Sequence, residues 1–150
     1  MSIMLDKKDN LILDELKKNS RQTTKQIAEN INLPRITVHD RIKKMTKKGI
    51  IKKFSAIPDY EKIGLPCKVI IFVSFLPNVN VSQKELANKI AKLTRIYEVD
   101  IISGEYDLLI KARGASLKEI GKLVVEKLRQ IKGVGRTLTC TCFENIKEEM

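Results

Sequence analysis

The sequence has no tryptophan, a single histidine (His39), and aromatic residues at only 5% of its 150 positions. A sheet that binds RNA by stacking bases needs exposed aromatic platforms, and three Tyr and four Phe are few from which to build them. Cysteine is sparse as well. Cys67, Cys140 and Cys142 are odd in number, so a disulfide framework is not expected and a reducing cytoplasm is the natural compartment. Cys140 and Cys142 would share one face of a strand, but no second pair and no histidine lies near them in sequence, so neither a metal site nor a cofactor is expected. No His/Cys nucleophile pair or phosphate-cradling loop stands out, Gly133 and Gly135 alone being a weak signal, which argues against an enzyme. Long apolar runs are missing too. The longest, Val69 to Val73, is far too short to span a bilayer. The first residues lack the basic, apolar and small-residue succession of a signal peptide. The chain therefore reads as cytoplasmic, with no membrane partner.

What it does have is positive charge. The formal net charge is +11, and hydrophobic residues at 43% with charged residues at 31% fit a globular protein. The excess is uneven. Residues 1–54 carry 14 basic against 6 acidic side chains, whereas residues 55–150 carry 15 against 12. A basic front part is the electrostatic footprint expected of phosphate binding.

That front part contains the stretch TTKQIAENINLPRITVHDRIKKMTKKG, Thr23 to Gly49. Thr23 with Gln26 is a capping-box signature, and Ile27, Ala28 and Ile31 give the helix an apolar stripe. Asn30 to Leu33 supplies turn chemistry, Pro34 pre-sets a new helix start, and Gly49 is placed to stop it. At about 100° per residue, Val38, Ile42 and Met45 share one side of this second helix. Ile36, Thr37, Asp40, Lys43, Lys44 and Lys47 share the other. Two short helices joined by a tight corner, the second basic on its outside, have the form of a helix-turn-helix. The plainer alternative is a solvated lysine face. On the DNA reading, Arg35, Ile36, Thr37 and Asp40 face base edges, with Asp40 also able to pair with Lys43 or Lys44. Lys43, Lys44 and Lys47 hold phosphates, with Arg21 and Lys25 as weaker candidates. His39 lies to the side of this face, for phosphate contact or packing.

Before this unit, Leu5 to Lys18 reads as a helix with Asp6 as N-cap and Leu5, Ile12, Leu13 and Leu16 as its stripe. After it, Ile51 to Phe54 suggests a short strand able to pair as a wing. Lys52 and Lys53 there could touch phosphate or merely protect an edge. Pro58, Gly64 and Pro66 mark a boundary, giving domains at 1–58 and 59–150. From Lys68 the pattern is β-α-β-β-α-β: a strand to Phe75, a helix from Ser82, strands Tyr97–Ser103 and Tyr106–Ala112 joined at Gly104–Glu105, a helix from Ser116 with Glu119 at its capping-box position, and a strand from Val134 to Phe143. The fold class is α+β, an N-terminal winged helix-turn-helix plus a C-terminal ferredoxin-like βαββαβ domain. Its first strand is apolar on both faces, with Ile70 and Phe72 alternating with Val69, Ile71 and Val73. Two helices cover only one face, so the other should meet a second copy in a two-fold dimer.

The whole chain resembles the Lrp/AsnC, or feast/famine, transcription regulators. The likeness is carried by LDKKDNLILDELKKNSR, the helix-turn-helix with its KKGIIKKF exit, ISGEYDLLIK, and KGVGRTLT. ISGEYDLLIK is the most specific of these. The resemblance implies a DNA-binding regulator that is dimeric and often tetrameric or octameric, with an amino-acid effector bound where dimers meet. Double-stranded DNA, further copies of the chain and the transcription machinery are then its partners. It nominates Ser103, Gly104, Tyr106 and Asp107 in the turn, and Thr137 and Thr139, with Thr141 extending the row, in the last strand. Gly104 would allow close approach and offer N–H groups to a carboxylate, and Asp107 would receive an ammonium group. The plainer alternative is a hairpin glycine and a surface or dimer-contact charge. One departure from the family pattern is that Pro34 stands where many members have a capping Ser, and Arg35 replaces a frequent Pro.

Overall fold

A computed structural model describes residues 5–77 and 80–146. The chain divides into two compact units, Met1–Ile57 and Pro58–Met150.

The first unit is three helices around one small core. α1 (Lys7–Lys18) starts at Asp6, whose carboxylate accepts from the Asp9 N–H at 2.8 Å while Asp9 accepts from the Asp6 N–H at 3.3 Å. α2 (Thr24–Asn30) starts with the reciprocal Thr23–Gln26 cap. Each cap satisfies N–H groups that the first helical turn leaves without a partner. Asn32, at φ 51, takes the left-handed conformation that turns the chain sharply, and the Leu33 N–H closes the corner onto the Ala28 carbonyl at 3.0 Å. α3 (Arg35–Lys47) follows Pro34, which offers no side-chain cap. Gly49, at φ 70, ends it, a conformation glycine adopts without steric cost. Ile12, Leu16, Ile27, Ala28, Val38, Met45 and Ile51 form the core.

Polar stitches supplement that small core. Arg41 of α3 donates from Nη1 to Asp6 at 2.6 Å and to Asp9 at 2.8 Å, tying the start of α1 to α3. Glu15, buried between α1 and α2, accepts from Lys18 at 2.6 Å and from Asn30 at 2.7 Å. The Asp9 N–H and the Arg41 guanidinium lower the Asp6 pKa, and Lys18 with Asn30 lowers that of Glu15.

The wing strand is not formed. Ile51 packs into the core, but Lys52, Lys53 and Phe54 are exposed and irregular. A strand needs a ladder partner, and all the strands among the described residues belong to the sheet of the second unit.

The second unit runs β1 (Cys67–Phe75), α4 (Gln83–Ile90), β2 (Ile96–Ile101), β3 (Leu108–Gly114), α5 (Leu117–Lys122) and β4 (Val134–Thr141). The strands form one antiparallel sheet in the order β2-β3-β1-β4. Val69, Ile71 and Val73 are fully buried opposite Ala112, Ile110 and Leu108. Leu86 and Ile90 of α4 and Ile120 of α5 join them in the core. Ser82 and Glu85 cap α4 reciprocally. The second helix departs from expectation at both ends. Ser116 caps α5, but the Glu119 carboxylate accepts from the Ala115 N–H at 2.6 Å and from Arg95 at 3.0 Å instead of closing a box. Beyond α5 the helix widens into a π turn, Leu123–Lys127, and tightens into a 3-10 turn, Leu128–Gln130. Apolar residues four apart drift by about 40° per step on a regular α-helix. The wide turn offsets this and keeps Leu128 in the core beside Ile120 and Val124.

The other face of the sheet is not covered by these helices. Phe72 there lies opposite Leu109 and Leu138, and Ile70 opposite Lys111 and Cys140. Ile70 and Phe72 are half-buried and Leu138 is exposed. Among the described residues no helix is long and apolar enough to cross a membrane.

Candidate nucleic-acid interface and effector turn

With Val38 and Met45 buried, the opposite side of α3 is turned to solvent. Ile36 on that side is 76% exposed. Lys43, Lys44 and Lys47 are exposed, and none has an ion-pair partner among the described residues. Thr37 is half-buried. Arg35 donates from Nε to Thr24 Oγ1 at 3.3 Å, and Thr24, Arg35, Ile36 and His39 line a shallow hollow of about 270 Å³. Asp40 does not pair with Lys43 or Lys44. Its Oδ1 lies 3.1 Å from His39 Nδ1. Arg21 is exposed, and Lys25 sits 3.9 Å from Glu29. Sequence reasoning missed Arg41, whose two acidic partners lie 35 and 32 residues away.

In the second unit, Gly104 has φ 138 with open space where a Cβ would stand, so backbone conformation and not crowding favours glycine there. Ser103, Gly104 and Glu105 are exposed. Asp107 is already engaged. Its Oδ2 accepts from the Phe75 N–H at 2.7 Å, its own N–H donates to the Val73 carbonyl, and Gln83 Nε2 reaches Oδ1 at 3.4 Å. Asp107 thus ties the end of β1 to the start of α4.

The nominated residues do not converge on one side of the sheet. Thr137 and Thr139 lie opposite Val73 and Ile71, on the face the helices cover, and Arg129 donates to Thr137 Oγ1 at 2.9 Å. Tyr106 packs on Phe72 of the open face, ring centroids 5.6 Å apart. Arg136 lies over the Tyr106 ring at 5.1 Å and pairs with Glu105 at 2.6 Å. Neither Arg136 nor Gln83 was expected from sequence, because strand register and helix placement bring them to the turn.

The three-helix unit with a basic outer helix and the βαββαβ unit each match a known family, and together they define the class as a DNA-binding regulator with a separate ligand domain. Residues 5–52 match the winged helix-turn-helix DNA-binding family and residues 68–150 match the Lrp/AsnC ligand binding domain. The chain belongs to the Lrp/AsnC family of helix-turn-helix transcriptional regulators, which are not enzymes. It is 45% identical, over the full length of both chains, to an uncharacterised HTH-type transcriptional regulator of Pyrococcus furiosus. Among solved structures it resembles the Neisseria meningitidis regulator NMB0573 in complex with L-methionine (TM-score 0.90, 24% identity, 97% of this chain and 94% of that one). It also resembles B. subtilis LrpC (TM-score 0.84, 25% identity, 98% and 100%).

Proposed function

We propose that the protein is a sequence-specific DNA-binding regulator, dimeric or larger, whose DNA affinity or assembly is tuned by an amino acid. The observation that carries the DNA reading is the outer face of α3, where exposed Ile36 stands among three lysines that have no ion-pair partner among the described residues. Ile36 contacts a thymine methyl and Arg35 reads guanine, while Lys43, Lys44 and Lys47 hold phosphates. Arg21 and Lys25 add weaker phosphate contacts. The half-apolar open face of the sheet supports pairing with a second copy, which gives the two heads a fixed spacing on two half-sites.

The effector reading rests on the family's ligand domain and on the Ser103–Asp107 turn. Asp107 retains lone pairs beyond those used by Phe75 and Gln83, so an ammonium group can share its carboxylate. A second reading, a DNA-binding regulator or architectural protein with no small-molecule effector, is favoured by that same engagement, since Asp107 already has a structural task. Asp107→Asn separates the two. Asparagine keeps an oxygen for the Phe75 N–H and removes the charge. Sedimentation velocity and DNA titration, with and without a panel of amino acids that includes methionine, should show a response in the wild type and none in the variant. Wild-type protein indifferent to the whole panel would leave the effector-free reading.

A further inference from the structure

We propose that His39 is a further phosphate contact of α3, active as the imidazolium, and that Asp40 is its positioning residue and does not read bases. This deepens the DNA reading and rests on it.

His39 lies three residues after Ile36 and four before Lys43, so it adjoins the outer face of α3 on the flank that carries Arg35. It lines the hollow with Thr24, Arg35 and Ile36, and its side chain is 62% exposed. A histidine there packs against no core. Its Nδ1 lies 3.1 Å from Asp40 Oδ1. If Asp40 accepts the Nδ1 proton, Nε2 is turned away from it. In neutral imidazole that nitrogen is then an acceptor and repels phosphate oxygen. In the imidazolium it is an N–H donor carrying positive charge.

Along α3, Arg35 and Lys43 stand one turn to either side of the ring and Asp40 beside it. From α2 the neighbour is Thr24, which is uncharged. From α1, Asp6 and Asp9 face the adjacent hollow with Asp40, Arg41 and Lys44, and both are held by Arg41. A DNA backbone brought against this flank adds strong negative potential, so the complex favours the proton more than the free protein does. DNA binding therefore takes up a proton. Histidine alone among side chains ordinarily titrates between about pH 5 and 8, and this sequence has one.

The test is fluorescence anisotropy of the intact protein with a labelled mixed-sequence duplex of about 30 base pairs, long enough for two half-sites, at fixed low ionic strength between pH 6 and 8. Wild-type affinity should be several-fold higher at pH 6 than at pH 8. His39→Gln should show no rise in affinity toward pH 6. His39→Lys, permanently charged, should bind tightly at both. Asp40→Asn should move the midpoint of the rise to lower pH. A flat wild-type profile, or an undiminished rise in His39→Gln, overturns the contact. An unmoved midpoint in Asp40→Asn overturns the positioning role. Absence of DNA binding at every pH would instead take down the underlying reading of α3.

Discussion

The two units reach stability by different routes. Among the described residues the sheet unit buries thirteen in one cluster, drawn from β1, β3 and β4, from α4 and α5, and from the turns that follow α5. The head buries seven. A core that small is marginal for about 50 residues, so stitches between helices carry more of its cohesion. Those stitches are the Arg41 clamp, made of charged groups alone, and the Glu15 cluster, which joins Glu15 and Lys18 to the Asn30 amide. The difference shows what a reading head gives up. One whole side of α3 is turned to solvent, and only the other side is left to build a core.

The sharpest way to break this comparison is to cut the same group from each core. Ile27→Ala and Ile71→Ala each remove a fully buried isoleucine side chain and should each cost about 2–5 kcal/mol. In the head that is a large share of the whole stability, so Ile27→Ala should unfold it near 37 °C and abolish DNA binding while the sheet unit keeps its amide protection. Ile71→Ala should be tolerated. Hydrogen exchange resolved by segment reads both, and equal loss of protection in both units would show that they do not differ in reserve.

Acid should separate the units next. Asp6 and Glu15 have folded-state pKa values lowered by the Asp9 N–H and Arg41, and by Lys18 and Asn30, respectively. A lowered carboxylate stabilises the fold fully above its ordinary value near 4, and that contribution is lost as pH falls through the lower folded value. The sheet unit also holds lowered carboxylates, at Asp59, Glu85 and Glu119, but behind a larger core. On lowering the pH from 5 toward about 2, head amide resonances should therefore collapse first. Simultaneous loss would mean that the stitches matter no more in the head than elsewhere.

How much of this was legible in sequence follows the distance over which each feature is encoded. The caps at Asp6, Thr23, Ser82 and Ser116 were readable because a cap is decided within four residues. The βαββαβ order was readable because hydrophobic period changes from strand to helix. The wing strand failed because Ile51 to Phe54 has strand composition and no ladder partner, and composition cannot supply one. Glu119 was assigned to its own helix start when Arg95 and the Ala115 N–H compete for it. The Arg41 clamp was invisible because its partners lie more than 30 residues upstream. At the Ser103–Asp107 turn, the sequence could not say that Phe75 and Gln83 already use the Asp107 carboxylate, or that Thr137 and Tyr106 belong to opposite faces.

The smallest effect tests the division of charge between the units. Lys44 and Lys84 are both exposed lysines without an ion-pair partner among the described residues, one on α3 and one on α4. Each removes one positive charge when changed to alanine, so a general effect of net charge predicts the same result for both. A phosphate contact predicts otherwise, because only a bound lysine displaces a counterion from DNA. Lys44→Ala should weaken binding to every duplex and flatten the plot of log affinity against log salt by about one unit, and Lys84→Ala should leave that slope unchanged. If the two variants lowered the slope alike, the basic excess would act as a diffuse field and α3 would have no special standing. A fall confined to Lys44→Ala would locate the phosphate on the outer face of α3, because the two lysines differ in position and not in chemistry.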